Sequence, residues 1–270
     1  MDSPLRAWRD TLEDLGVMGL VREPRAPAPE DPVPQPSSPS PVRPPLARPA
    51  PRPVAAAPAA YVPPSDPIGC PAPAAVAGAA SLSDLHRIIQ GCLACPLGPG
   101  RMKFVFGEGD PGARILFVGE GPGRDEDVQG RPFVGKAGAL LDRMIGALGM
   151  TREETYVANI VKCRPPDNRT PAPDEARACL GYLRRQIELI QPAVIVTLGA
   201  TPLRELVGIG EGITRMRGQW QRVKVGGREI PVMPTYHPAY VLRQYTPDVR
   251  RAVWEDLQAA KAWADRPAEA

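Results

Sequence analysis

Several features are scarce in this chain of 270 residues. No stretch approaches the roughly 18 consecutive apolar positions that a bilayer-spanning helix needs, so no membrane segment is expected. The opening MDSPLRAWRDTLEDLG carries acidic residues through its middle and lacks an apolar h-region and a cleavage site, so it does not read as a secretory signal. Strong charge is missing too: the net is +3, and residues 81–270 hold 26 Lys/Arg against 22 Asp/Glu. That excess permits contact with a polyanion without demanding it. Histidine is limited to two residues and phenylalanine to four. The densest acidic group, 125–127, therefore has no imidazole partners for a catalytic metal. No GKS or GKT follows a glycine loop, which excludes a Walker-type phosphate site.

Proline is abundant, and unevenly placed. Of 36 prolines, 19 fall between Pro24 and Pro73 in a background of Ala, Ser and Val. Such a window cannot offset the entropy of ordering it, so residues 23–80 read as an extended, disordered linker with much polyproline II character. Ahead of it, residues 1–22 place Leu5, Trp8, Leu12, Leu15 and Leu20 at roughly helical spacing. A short amphipathic helix is expected there, one able to contact a partner. About 190 residues remain, 81–270, enough for one α/β domain and too few for two.

From Ser81 the chain alternates. SLSDLHRIIQGC reads as a capped helix, ARILFVG (113–119) as a buried strand, and GEGPGRDEDVQGRPFVG as a loop. A helix over 136–149, a strand over 155–163 and a long helix over 171–192 follow, the last entered through Pro and acids and stopped by Pro192. AVIVTLG (193–199) is a third buried strand, then TPLRELVG a short helix. QWQRVKV and REIPVMPTYHP read as two strands about a Gly-Gly turn, and 247–264 as a closing helix. This alternation predicts a three-layer α/β/α fold around a central, mostly parallel sheet. Ligands of such sheets bind beyond the carboxyl ends of the strands, here the loops after Val118, Ile160 and Met233.

The unusual residues gather in those loops and in a set of cysteines. Cys92-Leu-Ala-Cys95-Pro, Cys163 and Cys179 make a set of four thiols, and a patterned set in a reducing cytoplasm favours a metal site over disulfides. Spacing leaves zinc and an iron–sulfur cluster both open; Cys70 reads as a spare thiol. Gly119-Glu-Gly121-Pro-Gly123 follows a strand, but Arg124 occupies the third glycine position of a dinucleotide fingerprint and Pro122 lacks an amide for a phosphate nest. Close approach of the backbone to a flat ligand is the other use of such a loop. Phe133 reads either as a plug for the core or as a stacking platform. Asn159, near a strand end, either caps its own loop or offers an amide matching the edge of a pyrimidine. His237 begins His-Pro-Ala-Tyr-Val-Leu-Arg at another strand end, whereas His86 falls in a helix and reads as structural.

In this order the pieces resemble the family 4 uracil-DNA glycosylases, the iron–sulfur branch of that superfamily. The resemblance runs from Ser83 to Trp263 and rests on GEGPGRDEDVQGRPFVGKAGALL (119–141), NIVKCRPPDNRTP (159–171), HPAYVLR (237–243) and the four cysteines. It implies a 4Fe-4S cluster on Cys92, Cys95, Cys163 and Cys179. It implies further that Phe133 stacks on a flipped uracil and that Asn159 pairs with its Watson–Crick edge. Glu120 and Gly121 would line the sugar and the attack side, Glu126 would lie near the C5 face, and His237 would face O2. Asn168 matches a polar position of the substrate site, and Tyr240, Leu242 and Arg243 belong to a segment entering the minor groove. Relatives outside this branch carry Asp where Gly121 stands and Tyr where Gly123 stands, so leaving-group stabilisation is expected to outweigh base activation. CRPPDNRTP holds no His, unlike the insertion of the branch that links covalently to DNA. The implied function is hydrolysis of the N-glycosidic bond of deoxyuridine in single- or double-stranded DNA, by a monomer acting in base excision repair at the nucleoid. A non-catalytic damage- or single-strand-binding module of the same fold is the alternative; it would need Phe133 and the basic loops but not Asn159 and His237 together.

Overall fold

The structure, a computed structural model, describes residues 70–267. The helix expected over 1–22 and the linker up to residue 69 lie outside the described residues. The described residues include 70–80, ahead of the expected boundary at Ser81. A short helix, α1 (Pro73–Ala77), precedes it, with Val76 and Ala79 buried in the core. Its Ala-rich composition favours helix once Pro73 occupies the first turn, where a missing N–H costs nothing.

Then come α2 (Leu82–Ile89), capped by the Ser81 hydroxyl, α3 (Leu97–Gly100), β1 (Glu108–Gly109), β2 (Ile115–Gly119), α4 (Arg124–Gln129), α5 (Lys136–Ala147) and β3 (Tyr156–Asn159). α6 (Pro173–Ile190), β4 (Val194–Leu198), α7 (Ala200–Val207), α8 (Ile213–Met216), β5 (Gln221–Val225), β6 (Arg228–Thr235), α9 (Pro238–Arg243) and α10 (Pro247–Ala264) complete it. The six strands form one sheet in the order β1-β3-β2-β4-β6-β5. The four central strands are parallel and the two edges antiparallel. β2 and β4 are buried at every position, as strands covered on both faces must be, while β5 alternates.

α6 shows how the layers are built. Pro173 starts it, Glu175 caps it by accepting from Ala172 N–H, and Ala176, Cys179, Leu183, Ile187 and Ile190 recur at helical spacing on its buried side. Each large apolar side chain so buried contributes about 1.5–3 kcal/mol. They meet Leu116, Val118, Ala158, Ile195 and Val232 of the sheet, with Leu85 and Ile89 of α2 and Leu206 of α7. On the opposite face α10 lies across β2, β4 and β6, and α5 packs against α9. Because β2 feeds β3 to one side and β4 feeds β6 to the other, a crevice opens at their carboxyl ends.

One expectation for this crevice needs correction. The segment 119–135 is not all loop: acids 125–127 sit in the first turn of α4, where they complement the helix dipole and stabilise six helical residues.

Candidate functional site

The strand ends bring Gly119, Phe133 and Asn159 together. Gly119 pairs in register with Asn159. A Cβ on Gly119 would stand 2.4 Å from Asn159 Oδ1 and 2.6 Å from the Phe133 ring, so only glycine leaves room between amide and ring. Asn159 is 2% exposed, and its Oδ1 is buried with no hydrogen-bond partner. An orphaned buried acceptor costs about 1–3 kcal/mol, and here it shares the space over Gly119 with the Phe133 ring. The amide does not cap its own loop. Phe133 is 6% exposed, and its ring centre lies 5.6 Å from that of His237 at 30°.

Phe133 holds a left-handed backbone, φ 50°, which costs a residue with a Cβ about 1–3 kcal/mol unless its surroundings impose it. Three contacts do so. Glu126 Oε1 accepts from Val134 N–H at 2.9 Å and from Gly135 N–H at 3.1 Å. Arg152 donates to the Pro132 carbonyl, and its guanidinium also bonds Glu108 and Asp142. Gly138 lets α5 pass beneath, since a Cβ there would stand 1.9 Å from the Phe133 carbonyl oxygen. Glu126 is therefore engaged differently from the resemblance's C5-face role: its other oxygen accepts from Gly123 N–H, so the carboxylate is spent on the main chain.

His237 follows β6 and caps α9. Its Nδ1 accepts from Ala239 N–H at 3.0 Å, so the proton of the neutral ring sits on Nε2. Burial pushes its pKa down to about 4, with Arg243 adding to the fall. A neutral imidazole with an Nε2 donor results. The strand end beneath is pinned by buried Asp256, which accepts from Thr235 Oγ1 at 2.7 Å and from Arg217. Tyr240, Leu242 and Arg243 lie on α9. The Tyr240 ring centre lies 4.8 Å from that of Tyr236, tilted by 32°, Leu242 is half-buried and Arg243 exposed.

Glu120 continues β2 and accepts from Thr201 Oγ1 at 2.5 Å. Gly121 is forced by Val161, whose Cγ2 would stand 2.6 Å from a Cβ at 121. Asn168 is exposed, with a left-handed backbone, and its Oδ1 accepts from Arg164.

Beyond Asn159 the four cysteines lie near enough to feel one another's charge. Cys92, Cys163 and Cys179 are buried, and none of the four is disulfide-bonded. Cys163 feels the charge of Cys92 and Cys95, and Cys179 that of Cys163 and Cys95. Burial raises Cys163 to about 11 and Cys179 to about 12, opposed by the nearby cations Arg101 and Lys162. Arg101 donates to Cys163 Sγ at 3.4 Å, and Tyr182 OH lies 3.1 Å from Cys92 Sγ. Lys162 is fully buried; its Nζ donates to the Asn159 carbonyl and to Gln186 Oε1. Among the described residues no group of three or more His, Cys, Asp or Glu is arranged around a single ion. Cys70, expected to be apart, is also near: it feels Cys92 and Tyr182. Sequence reasoning missed Arg152, Gly138, Thr201 and Lys162. The VKC motif already placed Lys162 beside a candidate ligand; the others carried no local signal.

Residues 106–258 match the family model described as the Uracil DNA glycosylase superfamily. The chain is 49% identical over 179 residues to the type-4 uracil-DNA glycosylase of Thermotoga maritima, covering 65% of this chain and 90% of that protein. It is 45% identical over 192 residues to the type-4 uracil-DNA glycosylase of Sulfurisphaera tokodaii, covering 69% and 86%. The corresponding protein of Archaeoglobus fulgidus is 42% identical over 182 residues, covering 66% and 90%.

Proposed function

This chain belongs to the uracil DNA glycosylase superfamily, and from that premise we propose that it is a DNA-repair hydrolase of the type-4 kind, cutting the bond between uracil and deoxyribose. The observation that carries the reading is the orphaned amide oxygen of Asn159, buried against the Phe133 ring where only glycine fits. Rotated or not, that amide presents a donor and an acceptor side by side, which is what a uracil edge requires.

The nucleotide leaves the stack at a cost of a few kcal/mol, of which stacking on Phe133 returns roughly 1–3 kcal/mol. As the C1′–N1 bond breaks, the electron pair moves onto the base and charge gathers on O2. The His237 Nε2–H meets it, a donor held in place by the Ala239 amide at the other nitrogen. Loss of one such preorganised donor costs about 10²–10³ in rate. A neutral donor suits a site that must release uracil rather than trap it as an ion pair. Arg243 and Arg164, near the strand ends, would meet backbone phosphates and make binding salt-dependent.

Cys92, Cys95, Cys163 and Cys179 would hold a 4Fe-4S cluster. The donor set suits it: four unbridged thiols with Arg101 and Lys162 supplying positive charge. When bound, the cluster would supply a thiolate crosslink among the Cys92 loop, the loop after β3 and α6. Lys162 then ties that crosslinked region to Asn159.

The test is a panel of duplex and single-stranded oligonucleotides carrying one uracil, thymine, hypoxanthine or xanthine, scored for abasic sites. Excision of uracil and not thymine is expected; a chain that binds the uracil strand without cutting it would overturn the reading.

A further inference from the structure

We propose that Thr201 is a positioning residue for hydrolysis, holding the Glu120 carboxylate so that its free oxygen orients the attacking water; this rests on the glycosylase reading. Glu120 stands one residue beyond β2 and Thr201 in the first turn of α7, and the Thr201 hydroxyl donates to Glu120 Oε2 at 2.5 Å. That is the short distance of a hydroxyl bonded to a carboxylate. Thr201 is buried and Glu120 half-buried. The Glu120 carbonyl accepts from Val161 N–H, so the residue is held through both main chain and side chain. Among the described residues, Glu120 Oε1 has no hydrogen-bond partner.

The bond spans the crevice between β2 and β4, beside His237. Gly199, two residues before Thr201, has φ 102°, and a Cβ there would stand 3.4 Å from His237 Cβ. Glu120 thus lies between the wall carrying the leaving-group donor and the loop carrying Gly121. Val161 denies position 121 a side chain, and Glu126 is spent on three main-chain amides. Glu120 Oε1 is a carboxylate oxygen left unengaged next to Gly121.

In the step it serves, the water oxygen bonds to C1′ as the C1′–N1 bond breaks. The bonding pair leaves on uracil, and a water proton passes to Oε1 and on to solvent. A carboxylate free to rotate would present that oxygen part of the time; one anchored by Thr201 is already oriented.

Single-turnover excision of uracil from an oligonucleotide separates this role from packing. Thr201→Val keeps the shape and loses the hydroxyl, and should lower kcat roughly 10- to 100-fold, the worth of one hydrogen bond to a charged group, with KM and melting temperature unchanged. Thr201→Ser keeps the hydroxyl and should stay within about threefold of wild type. The double variant Thr201→Val/Glu120→Gln should be no slower than Glu120→Gln alone. Equal rates for Val and Ser, a loss that tracks melting temperature, or multiplying losses in the double variant would each overturn the proposal. If Asn159→Ala and His237→Ala are inactive while Thr201→Val excises normally, the glycosylase reading stands and this inference alone falls. A wild-type chain that leaves uracil in place overturns both.

Discussion

The rings of Phe133 and His237 lie 5.6 Å apart at 30°, one held by the β2 loop and the other by the end of β6. Between them and the sheet, Gly119 and Asn159 form a floor. A base stacked on the first ring therefore brings its edge toward the second. On the proposed reading, that single spacing would join recognition to leaving-group stabilisation.

Filling the floor should close the slot. Gly119→Ala inserts a methyl at 2.4–2.6 Å from the Asn159 amide and the Phe133 ring. Uracil excision should fall at least about 100-fold, the effect of misplacing reacting groups by an ångström. Asn159→Ala removes an acceptor the fold leaves unsatisfied, so urea-unfolding stability should change by no more than about 1 kcal/mol while excision falls about 100-fold or more. Rates and urea midpoints of the two variants check both.

His237 makes stability sensitive to acid. Its pKa is about 4 when folded against an ordinary 6.5. Above pH 6.5 the ring is neutral in both states and contributes no pH dependence. As pH falls from 6.5 toward 4, the unfolded chain takes up a proton that the folded chain refuses, and stability is lost, on the order of 2–3 kcal/mol by pH 4.5. Urea unfolding of wild type and His237→Gln at pH 7.5 and 4.5 should show the larger decline in wild type. Excision itself should lack a limb near pH 6.5.

Arg152 supports the Phe133 backbone from behind. Arg152→Met frees the Pro132 carbonyl, Glu108 and Asp142 together, and the left-handed Phe133 should relax. A roughly tenfold fall in kcat/KM for uracil-containing oligonucleotides is expected. Arg152→Lys should restore only part of it, because an ammonium cannot reproduce the guanidinium fork.

The cysteine site predicts a brown protein with broad absorbance in the violet. Cys163→Ser should lose the colour and the bound iron, and lower the melting temperature by on the order of 10 °C. Iron analysis and a thermal melt check this; a colourless wild type carrying one zinc per chain would count against the cluster.

How far the sequence reached varies with the range of the forces involved. The order of strands and helices was legible because burial of Ile115–Gly119 and Val194–Leu198 on both faces, and the spacing along α6, act within a few residues. α4 was hidden in a glycine-rich stretch, since its stability comes from Glu126 bonding forward and backward in the chain rather than from an apolar stripe. β1, two residues long, exists only by pairing with β3.

By itself the sequence determined which residue types stand at the carboxyl ends of the strands, a glycine beside Glu120, an Asn and a His before Pro, and that four patterned cysteines accompany them. Periodicity, proline stops and short motifs carry that information locally. Only the tertiary structure decided what those residues are free to do. It spent Glu126 on amides, turned His237 so that Nε2 bears the proton, left Asn159 Oδ1 bare and gave Glu120 a partner in Thr201. Hydrogen bonds between groups tens of residues apart depend on how the layers pack, and no local pattern encodes them.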